Sequence, residues 1–318
     1  MKKILITGGA GFIASHVADA YVKAGHRVVI IDNLATGLRK NVDPKATFYK
    51  ADIRNLQLME RIFRKERPEI VNHHAAIAEV VKSLRNPIPT LETNVIGTTN
   101  ILLSFGKYGR PPGRASLVAG RGKDKKFIFS STGGAIYGEP KKIPADENTP
   151  AVPLSPYGLS KLLGEEIIKF YSRQYGFDYL IFRYPNVYGP RQNPEGEAGV
   201  VAIFGGLMKS EKKPVIFGDG TKARDYTHVE DIVKANLIAL RKGERKIINL
   251  GWGKKITDQM IFDAVAIATG FSGGPHYAPY RKGEVYQIAL DSKKAKRILG
   301  WRPKVKLKEG IRKTVATL

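Results

Sequence analysis

The chain has 318 residues, with 42% hydrophobic, 9% aromatic and 26% charged residues; this excludes a disordered chain and suits one large domain or two fused ones. It has no cysteine, which rules out disulfides, thiolate nucleophiles and Cys-ligated metals, and no metal centre is expected. The net charge of +24 fits either a polyanion partner or a solvated basic surface; Lys and Arg are spread along the chain with no aromatic-interleaved basic run, so nucleic acid is not an expected partner.

Met1-Lys2-Lys3 leads into an apolar run too short for a secretory signal, and no run approaches the roughly 18 residues a membrane span needs. A cytoplasmic chain without a membrane partner is expected. Lys3 to Thr7 reads as a buried parallel strand. A Gly-rich turn and a helical pattern through His16, Val17, Ala20, Tyr21 and Ala24 follow, closed by Gly25. Arg27 to Ile31 is a second strand ending at Asp32, which completes a βαβ unit. Strands at Thr47–Lys50, Glu69–His73, Lys126–Ser131 and Asp178–Tyr184 then alternate with helices at Leu56–Lys65, Leu91–Phe105 and Pro156–Tyr175. That alternation predicts an α/β fold: a doubly wound parallel sheet of Rossmann type. After Pro185 the texture changes to Gly, Pro and short apolar pieces, with helices around Val200–Lys209, Val229–Arg241 and Thr257–Thr269. We expect a dinucleotide-binding domain over 1–185, with 229–252 returning to it. Residues 186–228 and 253–318 would form a smaller substrate-binding lobe. The basic, Gly-rich segment from Ser104 to Lys125 follows a helix. It reads as a surface loop on the sheet edge away from the site, not as a lid.

The turn Thr7-Gly8-Gly9-Ala10-Gly11-Phe12-Ile13-Ala14 follows a strand and opens a helix. In that context Gly8 and Gly11 allow close approach of a pyrophosphate, and the helix N-terminus offers N–H groups and partial positive charge. The alternative is a Gly-rich turn without a ligand. Asp32, about 20 residues on, suits the adenosine ribose hydroxyls and repels a 2′-phosphate, so NAD is expected over NADP; Arg39 and Lys40 nearby act against that preference. Asp52 ends the weak third strand and reads equally as an adenine contact or an ordinary strand-end carboxylate.

Tyr157 and Lys161 stand four apart, on one face of a helix. A free phenol titrates near 10 and is a poor base at neutral pH; a fixed ammonium and a positive nicotinamide ring beside it would favour the phenolate. A surface Tyr–Lys pair is the bland alternative. Phe127-Ile128-Phe129 runs into Ser130-Ser131-Thr132-Gly133-Gly134, which puts hydroxyls at the mouth of the sheet, where turn chemistry alone would also place them.

Together the motifs T-G-G-A-G-F-I-A (7–14), I-D-N-L (31–34), A-D-I (51–53), H-H-A-A (73–76), N-V-I-G-T (94–98), F-S-S-T-G-G-A-I-Y-G (129–138), Y-G-L-S-K (157–161), R-Y-P-N-V-Y-G-P (183–190), F-G-D-G-T-K-A-R-D-Y-T-H-V-E-D (217–231), R-K-G-E (281–284) and D-S-K-K-A (291–295) resemble the extended short-chain dehydrogenase/reductase family over nearly the whole chain, and within it the branch that inverts C4 of UDP-glucose. The resemblance implies catalytic roles for Thr132, Tyr157 and Lys161. It implies an NAD site formed by Gly8, Gly11, Phe12, Ile13, Asp32, Asn33, Asp52, Ile53, Ala75, Ala76, Asn94, Tyr157, Lys161 and Tyr184. It implies a nucleoside-diphosphate site formed by Asn186, Phe217, Arg224, Arg281 and Glu284; guanidinium forks suit a diphosphate independently. It also implies a homodimer formed by the helices at Leu91–Phe105 and Pro156–Tyr175. Ala14 replaces a usual glycine. The hydroxyl loop is one residue longer than the commonest form, so Ser131 stands as an alternative to Thr132. Ile288 aligns with a position facing the sugar.

The expected reaction takes a proton from the sugar 4-OH onto Tyr157 while hydride passes to NAD, then returns hydride to the other face of the 4-keto sugar. UDP-uronate and UDP-N-acetylhexosamine substrates are alternatives. A dehydratase would need acidic residues where Gly133 and Gly134 stand, and a plain reductase would prefer NADPH. The rival of another class is a non-catalytic NAD-binding protein docked on nucleic acid, which predicts a damaged Tyr–Lys pair.

Overall fold

The computed structural model describes residues 1–109, 122–196 and 199–318, and of 122–124 the backbone only. Strands β1 (Lys3–Thr7), β2 (Arg27–Asp32), β3 (Thr47–Lys50), β4 (Ile70–His73), β5 (Gly122–Thr132), β6 (Phe177–Tyr184) and, after four short strands, β11 (Lys246–Asn249) form one sheet in the order β11-β6-β5-β4-β1-β2-β3. Every neighbouring pair is parallel. In register, Thr7 pairs with Ile31 and His73, His73 with Phe129, and Thr132 with Tyr184. The carboxyl ends of all these strands therefore share one edge, where a doubly wound sheet binds ligands.

Strand alternation divides the buried side chains between two layers. Ile4, Ile6, Val28, Ile30, Ile128, Leu180 and Phe182 pack under α1 (Phe12–Lys23) and the later helix α6 (Val229–Ala239). Leu5, Val29, Ile31, Val71, Phe127, Phe129 and Ile181 face α2 (Leu56–Glu66), α3 (Thr98–Tyr108) and α4 (Pro156–Tyr175). Local chemistry sets the helix ends. Asn55 Oδ1 accepts from Leu58 N at 3.0 Å to cap α2. Ser155 Oγ accepts from Gly158 N at 3.2 Å with Pro156 in the first turn of α4, and Gly176 closes that helix in the left-handed region.

Up to β6 the sequence pattern places most elements, with three main differences. The helix expected from Leu91 to Phe105 is a short helix at Pro87–Leu91, a π-helical turn at Glu92–Gly97, and α3 running on to Tyr108. A helix at Val80–Arg85 was not expected. The loop expected from Ser104 to Lys125 is shorter on both flanks, since α3 continues to Tyr108 and β5 begins at Gly122; positions 110–121 lie outside the described residues.

Beyond β6 come β7 (Asn186–Tyr188), α5 (Val200–Lys209), β8 (Val215–Phe217), β9 (Ala223–Arg224), β10 (Tyr226–His228), β12 (Ile256–Thr257), α7 (Asp258–Thr269), β13 (His276–Ala278), α8 (Lys293–Leu299) and α9 (Leu307–Val315). Tyr188, Val201, Phe204, Ile216, Tyr226, Ile261, Val265, Ile311 and Val315 form a separate core there. A smaller cluster of Ile136, Tyr137, Ala145, Val285, Ile288 and Leu290 joins this part to the region after β5.

Candidate active site

The glycine turn has the geometry of a pyrophosphate cradle. Gly8 has φ of +69°, and a Cβ there would lie 2.8 Å from Ala75 N, so β1 and the segment after β4 leave room for neither a side chain nor an ordinary backbone. Gly11 N donates to Gly8 O at 3.0 Å, and α1 opens directly after Gly11 with no side chain capping it. Uncapped first-turn N–H groups carry the positive end of the helix dipole. Phe12 and Ile13 begin that turn.

Asp32 is 7% exposed and is built into the same turn: Oδ2 accepts from Ala10 N at 2.9 Å and Oδ1 from Leu34 N at 2.7 Å. Arg39, which would favour a 2′-phosphate, instead lies over the Phe48 ring at 4.6 Å. Asp52 is committed elsewhere. Its oxygens accept from Arg54 N, Nε and a terminal guanidinium nitrogen and from Asn33 Nδ2, and the Arg54 hydrogen bonds hold its carboxyl below the usual range. Ile53 is buried against Gly97.

Ala75 N donates to Thr7 Oγ1 at 3.2 Å, and Ala75 and Ala76 are half-buried at the sheet edge. The Asn94 amide accepts from Ile77 N at 2.8 Å and donates to Ile77 O and to Ser160 Oγ, both at 2.9 Å. It is a strut between the loop after β4 and α4, carried on the π-helical turn. The Tyr184 hydroxyl accepts from Asn236 Nδ2 at 2.8 Å and its ring stacks on His74.

Tyr157 and Lys161 lie in the first turns of α4, at the carboxyl edge of β5. The Thr132 side chain lies against the Tyr157 phenol. Ser131, next along the strand, faces the other way and donates to Glu165 Oε1 at 2.6 Å. Lys161 Nζ donates to Ser130 O at 2.7 Å and lies 4.9 Å from the centre of the Phe129 ring. Burial pushes the Tyr157 phenol up to about 12, and the group that pulls it back is Thr132, not Lys161. Burial also draws Lys161 down to about 7, against the opposing charge of Glu165. The protein groups alone hold the Tyr157 phenol in its neutral form at neutral pH.

Gly133 and Gly134 are tight positions. A Cβ on Gly133 would lie 2.4 Å from a Leu290 methyl, and one on Gly134 would lie 3.2 Å from Asn186 Oδ1 and 3.8 Å from Thr132 Oγ1. The same contacts place Asn186 near the Thr132 hydroxyl. The remaining candidates form a neighbouring cluster. The Arg281 guanidinium lies 3.5 Å from the Phe217 ring centre, and Glu284 lies between Arg281 at 3.7 Å and Lys222 at 2.5 Å. Arg224 donates to the Ala223 and Tyr286 carbonyls, both at 3.0 Å. Ile288, aligned with a sugar-facing position, is 2% exposed and packs in the apolar cluster with Ile136 and Tyr137.

Sequence reasoning missed two supports. Asp225 accepts from Trp252 N, Gly253 N and Leu290 N, which ties three loops around the cleft; burial nevertheless raises its carboxyl to about 6. Lys222 holds Glu284 and also reaches Asp258 at 3.3 Å. Asp225 sits beside Arg224 in the sequence, immediately before the buried strand β10 of Tyr226, Thr227 and His228.

Residues 4–251 match the model of the NAD-dependent epimerase/dehydratase family. A Methanocaldococcus jannaschii protein provisionally named a UDP-glucose 4-epimerase is 48% identical over 98% of this chain and 97% of its own length. The crystal structure of a Thermotoga maritima UDP-glucose 4-epimerase with UDP-glucose superposes with a TM-score of 0.93 at 46% identity, covering 99% of this chain and 98% of that one. A Thermus thermophilus UDP-glucose 4-epimerase in complex with NAD gives 0.90 at 40% identity, covering 99% and 98%.

Proposed function

Because this chain belongs to the NAD-dependent epimerase/dehydratase family, we propose that it interconverts UDP-glucose and UDP-galactose by transient oxidation at C4, with NAD held throughout. The observation that carries this reading is the Thr132–Tyr157–Lys161 group at the carboxyl edge of β5, beside glycines where a dehydratase needs acids. The Gly8–Gly11 cradle and the Asp32 carboxylate fit a dinucleotide. Lys161 would hold its nicotinamide ribose, while Ala75, Ala76 and Tyr184 line it. When bound, NAD supplies the hydride acceptor and donor and the positive charge that Tyr157 lacks.

Tyr157 then takes the proton from the sugar 4-OH, with Thr132 sharing the hydrogen bond, and returns it after the keto sugar has turned. Asn186, Phe217, Arg224, Arg281 and Glu284 would hold the nucleoside diphosphate. In this reading 1–185, with 229–252, carries the cofactor, and the rest carries the substrate. Among the described residues no helix is long and apolar enough to cross a membrane, and we place the enzyme in the cytoplasm. We also assign a homodimer, because Leu159, Leu163 and Phe170 of α4 and Ile96 of the π-helical turn stay 38–54% exposed on neighbouring elements.

The test is to incubate purified protein with UDP-galactose, without added NAD, and follow UDP-glucose by NMR. We expect conversion, reduced by a factor of at least about 100 in Tyr157→Phe. No conversion even with added NAD would sink the assignment.

A further inference from the structure

A fully buried ion pair beside the catalytic group has no part in the chemistry above. Glu165 lies one turn after Lys161 on α4 with no exposed surface, and Arg183 on β6 is 5% exposed. Arg183 Nε and one terminal nitrogen donate to the two Glu165 oxygens at 2.9 and 2.7 Å, and Ser131 Oγ donates to the same carboxylate. The other terminal nitrogen donates to the Tyr137 hydroxyl at 2.9 Å, which donates in turn to Asn249 Oδ1 at 2.8 Å. Apolar residues of equal volume hold a core at least as well as such a pair, because both ions lose their hydration. The pair's location therefore points to a use other than stability.

That use is visible at Lys161. Its ammonium is buried on Ser130 O and the Phe129 ring. The titratable groups that feel its charge are His73 at the end of β4 and His74 just after it, both kept neutral by burial, and Glu165 from its own helix. Glu165 is the negative charge among them. Arg183 supplies that carboxylate with a counter-charge and two hydrogen bonds.

We propose that the Arg183–Glu165 pair is a positioning device for the reaction: it keeps Lys161 in the charged form that binds the nicotinamide ribose, and it captures Ser131 so that Thr132 alone serves Tyr157. The proposal rests on the epimerase reading for its chemistry. Burial draws Lys161 down to about 7 with Glu165 already opposing it, so loss of that carboxylate would take the ammonium's titration lower still.

Two variants test it: Glu165→Gln, and the double Glu165→Leu/Arg183→Met, which exchanges the pair for apolar volume. In both, the alkaline limb of kcat/KM moves to lower pH. Activity at about pH 8.5 relative to pH 6 falls at least about tenfold beyond the wild type, since each unit of displacement is a factor of ten. The affinity for NADH, read by its fluorescence with no sugar present, carries the same displaced limb. Ser131→Ala keeps kcat within about threefold of wild type while Thr132→Ala does not. A folded double variant with wild-type pH profiles overturns the proposal. So does a Ser131→Ala loss equal to that of Thr132→Ala, or failure of both Glu165 variants to fold, which makes the pair structural. A wild type that binds NADH with this limb but converts no UDP-galactose sinks the substrate reading and leaves the device standing.

Discussion

At Gly8 the fold leaves no choice of residue. A methyl group there meets Ala75 N at 2.8 Å on a backbone at φ +69°, so Gly8→Ala carries both a clash and about 1–2 kcal/mol of left-handed strain. The expected outcome is a lower Tm and loss of the cofactor during gel filtration, read as the NAD released from acid-precipitated protein; a variant that elutes with full NAD would refute the cradle. Asp32 invites a second measurement. With its oxygens fixed by Ala10 N and Leu34 N, Asp32→Ala should weaken NAD binding at least about tenfold and narrow the preference over NADP; equal loss for both dinucleotides would place Asp32 in the turn's structure only. At this scale much was legible in the sequence, because glycine, aspartate and the Tyr–Lys spacing carry their reasons locally. Choosing between Ser131 and Thr132 was not legible. It turns on Glu165, which is distant in sequence and claims Ser131 through a bond that only packing creates.

Among the elements, α4 was readable to its last residue, since Ser155, Pro156 and Gly176 mark its ends. The helices α8 and α9 were not: α8 is short and α9 opens without a side-chain cap, in stretches rich in Lys and Arg, and tertiary contacts rather than local signals settle them. The π-helical turn at Glu92–Gly97 was equally hidden, because its extra residue exists to set Asn94 between Ile77 and Ser160. The outer face of α4 gives an element-scale prediction. Leu163→Glu puts a charge into the assigned dimer surface while leaving the core untouched. Light scattering should show a monomer of unchanged helix content, and a Leu163→Glu dimer of wild-type mass would exclude that face.

Across the whole molecule the chain does not finish one layer before starting the next. It leaves the sheet after β6, builds β7 through β10, returns with α6 against α1 and with β11 against β6, and leaves again. Residues 1–185 expressed alone would lack both α6 and β11. We expect an insoluble or dye-binding product without a cooperative melt; a soluble fragment with a sharp transition would show that the first half folds by itself.

The order of assembly has a consequence during synthesis. β6 is made with its outer hydrogen-bonding edge open, and its partner β11 does not exist until α5, β8 and α6 have been translated. At ordinary ribosome speeds that interval is on the order of several seconds. For that time Tyr179, Ile181 and Arg183 belong to an unpaired apolar edge, the kind of strand that neighbouring nascent chains can extend. The yield of folded enzyme thus depends on translation rate and on what shields that edge on the ribosome.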